Sequence, residues 1–219
     1  VVSAVVIIVF FTLYTSSGVV AGGKLFESSF GLSYEMGLYI TTGVVVLYTL
    51  FGGFLAVSLT DFVQGCIMFI ALILVPAVAY SLLEQPLQST LNSVNPDMLS
   101  WIGAGSALGI ISAMAWGLGY FGQPHIIVRF MSVRSVKDMP TARRIGMSWM
   151  IVAAIGAVGT GIFGAAYTYE NNIVVDDPET IFLILSELLF HPLIAGFLLA
   201  AILAAIMSTI SSQLLVSSS

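Results

Sequence analysis

Charge is what this chain has least of. Its 219 residues include 6 Lys and Arg and 11 Asp and Glu, 8% charged in all. A soluble domain carries about 25%. A surface that meets water on every side cannot be built from so few charges, so most of the solvent is expected to be lipid. The 6 basic residues also exclude a nucleic-acid footprint, which needs Lys and Arg clustered on one face. The single cysteine, Cys66, excludes an internal disulfide and reads as a small apolar residue in a helix. Two isolated histidines, His125 and His191, each beside a proline, do not make a metal centre. No Ser-His-Asp order, Gly-rich phosphate loop or paired carboxylate points to an enzyme. The net charge of −5 says little, because the charges sit in loops.

What the chain has instead is long apolar runs. The runs 1–23, 36–60, 62–83, 98–128, 145–169 and 188–219 carry no charge. Each reaches the roughly 20 residues that cross about 30 Å of hydrocarbon as a helix. Strand-like residues such as Val44, Val45 and Val46 lie inside these runs, and length favours helix over strand. The expectation is an all-α polytopic membrane protein with six transmembrane helices. The chain opens Val1-Val2-Ser3 with no basic leader and stops within an apolar run. It is expected to be an internal piece of a longer protein, one incomplete transmembrane domain over 1–219.

Loop charge orients the runs. Arg129, Arg134, Lys137, Arg143 and Arg144, five of the 6 basic residues, follow the fourth run, which places that loop in the cytoplasm. The loop after the fifth run holds Glu170, Asp176, Asp177 and Glu179 and no base, and falls outside. The segment with Lys24, Glu27 and Glu35 and the loop 84–97 are then outside, and the tight connection near Gly52, Gly53 and Asp61 inside.

The fourth run is broken at its centre. Trp116-Gly117-Leu118-Gly119-Tyr120-Phe121-Gly122-Gln123-Pro124 sets three glycines and a proline into an otherwise apolar segment. Glycine costs a helix interior about 1 kcal/mol and proline about 3 kcal/mol. Irregular backbone survives at membrane depth only where it is buried in protein or lines a cavity, and a broken helix there marks a transporter's binding site. Trp116 and Tyr120 stand one turn apart on one face and would wall an apolar part of a solute, with the Tyr120 hydroxyl as a polar handle. A proline kink with aromatic packing is the plainer reading.

Three other places carry polar groups in apolar surroundings. Ser208 and Thr209, with the Ala205 carbonyl one turn back, offer three hard oxygens of the kind an alkali cation takes; Ser and Thr in membrane helices also bond back to the i−4 carbonyl. Asp61 is an acid at a helix junction; as Thr60-Asp61-x-x-Gln64 it reads as a helix cap, and an ion-path role can coexist with that. Tyr14, late in the first run, reads by itself as a packing or interfacial aromatic. The pairs Gly18/Gly22 and Gly105/Gly109 have the spacing that lets helices approach closely.

Taken together these strings resemble the sodium:solute symporter family, and within it the bacterial branch that carries proline. The resemblance rests on Ala115 and the string Trp116 to His125, then Arg129-Phe130-Met131, Ala142-Arg143-Arg144-Ile145 and Ser148-Trp149-Met150-Ile151. Gly52 to Ser58, Thr60-Asp61, Ala201 to Ala205 and Met207-Ser208-Thr209 fit as well. The string Trp116 to Pro124 is specific; the others are weaker singly. The resemblance implies two inverted five-helix repeats, of which this piece holds the last three helices of one and the first three of the next. It implies sodium-coupled symport of L-proline into a bacterial cell across the plasma membrane, with sodium co-transported and no protein partner. Tyr14, Trp116, Tyr120 and Pro124 would shape the substrate pocket; Ala205, Ser208 and Thr209 would contribute to the sodium site, and Asp61 to ion coupling. The first core helix, which completes both sites in the family, would be missing. The alternatives are a symporter for another small solute (a sugar, pantothenate or a carboxylate) or the symporter-like domain of a membrane sensor kinase.

Overall fold

The computed structural model describes residues 2–100, 106–120 and 122–218, with the backbone alone at Trp116. Every regular element among them is helical: α1 (Val2–Phe30), α2 (Tyr34–Ser81), α3 (Leu87–Val94), α4 (Ala107–Tyr120), α5 (Pro124–Met131), α6 (Met139–Glu170), α7 (Ile181–Leu189) and α8 (Pro192–Ser217). Single 3-10 turns, Val136–Asp138 and Pro178–Thr180, lead into α6 and α7. Hydrocarbon offers no partner to a backbone amide, and a helix satisfies its own. α1, α2, α8 and the stretch Val136–Glu170 are long and apolar enough to cross a membrane. Large apolar side chains stand fully outward along them, as at Phe51, 84% exposed; such a surface invites association in water and is at rest in lipid.

α2 is two helices joined at a sharp break. Gly53 takes φ 54° and ψ −154°, a region open in practice to glycine alone. The limbs 34–52 and 54–81 correspond to the second and third apolar runs. The connection expected near Gly52, Gly53 and Asp61 therefore lies at Gly53. Thr60 and Asp61 are inside the second limb, and the Thr60 hydroxyl donates back to the carbonyls of Ala56 (3.0 Å) and Val57 (2.9 Å). The helix-cap reading of Thr60 and Asp61 is thus corrected: a hydroxyl turned to the preceding turn has no exposed first-turn amide to cap. The fourth apolar run is also divided. α4 has 14 residues and α5 has 8, each short of the about 20 that a crossing takes.

The chain forms two compact units. The first comprises residues 2–70 and 193–218. There α1 packs on the first limb of α2 through glycine: a Cβ on Gly22 would meet the Thr41 side chain, and one on Gly23 would come within 2.6 Å of Tyr34. A Cβ on Gly18 would sit 2.9 Å from Ile210 of α8. The Gly18/Gly22 pair is therefore a packing device, with a different partner for each member. Gly109 has only Ser106 of its own turn nearby, at 3.4 Å, and Gly105 lies outside the described residues. Leu25, Val45, Val57, Leu198 and Ile210 form the dry core.

The second unit is 71–192. Pro76, inside α2, has no N–H to give the Leu72 carbonyl, four residues back. α6 closes on that carbonyl at Gly156, where an added Cβ would collide with Leu72 oxygen and carbon. One turn on, a Cβ on Gly159 would be 3.3 Å from Pro76, and Tyr80 meets Phe163 with ring centroids 5.0 Å apart. α7 seats Ile181 and the fully buried Leu185 against Gly164. α3 lies along α6 with Leu91 buried.

Candidate functional site

Site residues from the sequence divide between the two units. Tyr14, Asp61, Ala205, Ser208 and Thr209 belong to the first; Trp116, Tyr120 and Pro124 belong to the second.

In the second unit the expected break is present. α4 stops at Tyr120 and α5 starts at Pro124. Between them the chain tightens into i to i+3 turns: Gly122 N–H donates to Gly119 O (3.0 Å) and Gln123 N–H to Tyr120 O (3.5 Å). Gln123 is extended, φ −71° and ψ 114°, and its carbonyl accepts from the amides of Ile126 and Ile127, each at 3.1 Å. Pro124 occupies the first position of α5, where its ring is pre-set for a helix and its missing N–H leaves nothing unpaired. Phe121 and the Trp116 side chain lie outside the described residues. The result is one helix C-terminus and one helix N-terminus within four residues of each other. The first presents carbonyl dipoles, which favour a cation; the second presents amide dipoles, which favour an anion. A zwitterionic amino acid carries both charges. A Cβ on Gly117 or Gly119 would meet no described atom within 4 Å.

In the first unit the hydroxyl set is assembled on one carbonyl. Ser208 Oγ donates to Ala205 O at 3.1 Å and Thr209 Oγ1 donates to the same oxygen at 3.0 Å. Both sequence readings meet in this geometry. A hydroxyl that gives its proton to the preceding turn points its lone pairs away from it, as a cation ligand must. The Ala205 carbonyl is then occupied by both hydroxyls, so direct contact with a cation requires at least one of them to turn.

Asp61 is brought to the same helix. Ser212 Oγ, one turn beyond Ser208, lies 3.4 Å from Asp61 Oδ2 and 2.6 Å from Ser208 O. Ser211 Oγ donates to Ser208 O at 3.1 Å. Tyr48 of α2 donates its hydroxyl to Met207 O at 3.2 Å. Gln213 is fully buried and its Oε1 accepts from Thr15 Oγ1 at 3.0 Å, beside Tyr14. Tyr14 itself is 38% exposed. A polar seam thus follows α8, with Thr15 on Gln213, Tyr48 on the Met207 carbonyl, and Ser208, Ser211 and Ser212 leading to Asp61.

Tyr48, Thr15, Ser212 and Gln213 were not among the sequence candidates. Ser212 and Gln213 had a readable signal: each stands four residues after a candidate oxygen, Ser208 or Thr209, on the same helix face. Thr15 and Tyr48 had none, since one polar residue in an apolar run does not name its partner.

Comparison with known proteins agrees over the full chain. It is 62% identical over 221 residues to the osmoregulated proline transporter OpuE of Bacillus subtilis (strain 168), covering 100% of this chain and 45% of that protein. It is 62% identical over 219 residues to the high-affinity proline transporter PutP of the same organism, covering 99% of this chain and 46% of PutP. It is 57% identical over 222 residues to a sodium/proline symporter of Staphylococcus aureus, covering 100% of this chain and 43% of that protein. The chain therefore spans about half the length of the curated relatives it matches. No solved structure matches it. The family model that it matches, over residues 1–219, is the one its motifs resemble: the chain belongs to the sodium:solute symporter family.

Proposed function

We propose that the protein carrying this chain is a sodium-coupled symporter of L-proline, driving uptake through a bacterial plasma membrane by alternating access. The identity of 62% to two proline transporters across essentially the whole chain is the observation that carries this reading. The family and the four long apolar helices make the chain part of a multi-pass membrane protein, and its relatives are transporters rather than enzymes. On this reading residues 1–219 are one incomplete transmembrane domain. Trp116, Tyr120 and Pro124, at the α4–α5 break, and Tyr14 of α1 shape the solute pocket. Ala205, Ser208 and Thr209 contribute oxygens to sodium, and Asp61 takes part in ion coupling through the seam on α8. The helix C-terminus and helix N-terminus at the break suit the ammonium and the carboxylate of an amino acid, and the Gly117–Gly119 backbone, with no described atom within 4 Å of an added Cβ, lets a small solute approach. Sodium and proline each shift the conformational equilibrium only by their difference in affinity for the two states.

The test is uptake of labelled proline by cells or proteoliposomes holding the full-length protein. Uptake that requires sodium and is out-competed by unlabelled proline, but not by other amino acids, a sugar or pantothenate, is the expected result. Sodium-independent uptake, or stronger competition by one of the other solutes, overturns the assignment.

A further inference from the structure

Glu170 is the last residue of α6 and stands where an acid is electrostatically unfavourable, because the C-terminal end of a helix carries partial negative charge. The helix end itself is complete without it. Asn172 takes φ 53°, and the amides of Ile173 and Asn172 reach back to the carbonyls of Thr168 (2.9 Å) and Tyr169 (3.2 Å), which closes the last turn in a Schellman arrangement. The Glu170 carboxylate does something else. Its Oε2 accepts from Glu84 N–H at 3.1 Å; its Oε1 accepts from Gln85 N–H at 3.3 Å and from Thr90 Oγ1 at 3.0 Å. Glu84 and Gln85 follow the end of α2, and Thr90 is the nearly inaccessible residue of α3 next to buried Leu91. Three donors from a segment some 80 positions earlier in the chain thus converge on one carboxylate.

We infer that Glu170 is a positioning residue that fastens the segment 82–94, including α3, to the end of α6 remote from the basic loop. Leu91 is buried where α3 packs along α6, but apolar packing is non-directional and does not by itself fix register. The carboxylate fixes it, because two consecutive backbone amides and one hydroxyl can be satisfied together in one placement only. On the transport reading above, α3 then travels with α6 whenever α6 moves, and freeing it slows turnover without touching the ion or solute sites.

The experiment compares Glu170→Ala, Glu170→Gln and Thr90→Val with the unaltered full-length protein, reconstituted in lipid. Amide hydrogen exchange is read at Glu84 and Gln85, and uptake kinetics are read alongside. Exchange at both amides is expected to quicken by about tenfold or more in Glu170→Ala, the factor that a charge-assisted hydrogen bond carries. Glu170→Gln, which keeps one acceptor oxygen, is expected to fall between, and Thr90→Val to leave the two amides protected. Maximal uptake is expected to drop several-fold in Glu170→Ala while half-saturating sodium and proline stay unchanged. Unchanged exchange at both amides in Glu170→Ala overturns the tie. Faster exchange with unchanged maximal uptake overturns its role in turnover. The exchange result decides the tie whatever solute the protein carries, so its failure is separable from failure of the proline assignment.

Discussion

Replacing Gly156 with alanine tests the close approach of α2 and α6. In an isolated helix the change is favourable by about 1 kcal/mol, since alanine outranks glycine in helix propensity. Here the new Cβ would fall on the Leu72 carbonyl oxygen, 2.8 Å from its carbon and 3.0 Å from the Leu72 Cβ. Two of those three atoms are backbone, so no rotamer change relieves the contact, and the helices must part. Overpacking of this kind costs typically 1–3 kcal/mol. Parting them also exposes the carbonyl that Pro76 leaves without an intrahelical donor, against which the Gly156 Cα now packs. A Cα–H···O contact is worth about 0.5–1 kcal/mol. Setting the roughly 1 kcal/mol propensity gain against these terms leaves a net loss of about 0.5–3 kcal/mol.

Gly161 is the internal control, because it lies on the same helix and its Cβ would meet no described atom within 4 Å. Gly159 is intermediate, at 3.3 Å from Pro76 Cβ. Thermal unfolding of the purified full-length protein in detergent, followed by loss of monodisperse protein, is expected to rank Gly161→Ala at or above the unaltered protein, Gly159→Ala slightly below it and Gly156→Ala several degrees below. A Gly156→Ala protein as stable as Gly161→Ala would refute the argument.

Further substitutions address the turn and the proposed ion site. Gly53→Ala forces a side chain into φ 54° and is expected to lose about 1–3 kcal/mol, seen as lower yield of folded protein, whereas Gly43→Ala, with no described atom within 4 Å of the new Cβ, leaves yield unchanged. Ser208→Ala and Thr209→Ala each remove an oxygen from the cluster on Ala205 and are expected to raise half-saturating sodium by about tenfold, with little change in proline affinity at saturating sodium; unaltered sodium dependence in both variants would sink the ion-site assignment.

The membrane class and the broken fourth run were legible in the sequence because each rests on local chemistry. Apolar runs of sufficient length leave the chain no solvent but lipid, and three glycines and a proline within eight residues weaken a helix enough to end it. The turn in α2 was legible at the Gly52-Gly53 pair, and Gly53 with positive φ makes it. The helix-cap reading of Asp61 failed because the bend lies eight residues before it, so Thr60 and Asp61 fall inside the second limb. Asp61 finds its polar neighbours by contact with α8, through Ser212 more than 150 positions away, and no local pattern reports a contact of that range. The clamp at Glu170 was hidden for the same reason: its acid looked like one more loop charge until the donors of residues 84–90 were seen around it.

The distribution of glycine carries the argument one step beyond fold. At positions 22, 23, 156 and 164 the missing Cβ is matched by a neighbouring atom closer than a side chain would allow. The lost helix propensity, about 1 kcal/mol each, is returned there as packing. At Gly117 and Gly119 the same loss meets no described atom within 4 Å. Packing among the described residues therefore does not account for them. What remains is protein outside the described residues, of this chain or of the kind that fills the other half of the relatives' length, or, on the proposed function, the solute itself. The two differ in one respect: a helix packed on Gly117 and Gly119 excludes a methyl group in every state of the protein, whereas a solute site excludes it only when occupied. Stability without proline and affinity for proline, measured on the same Gly117→Ala and Gly119→Ala proteins, separate them.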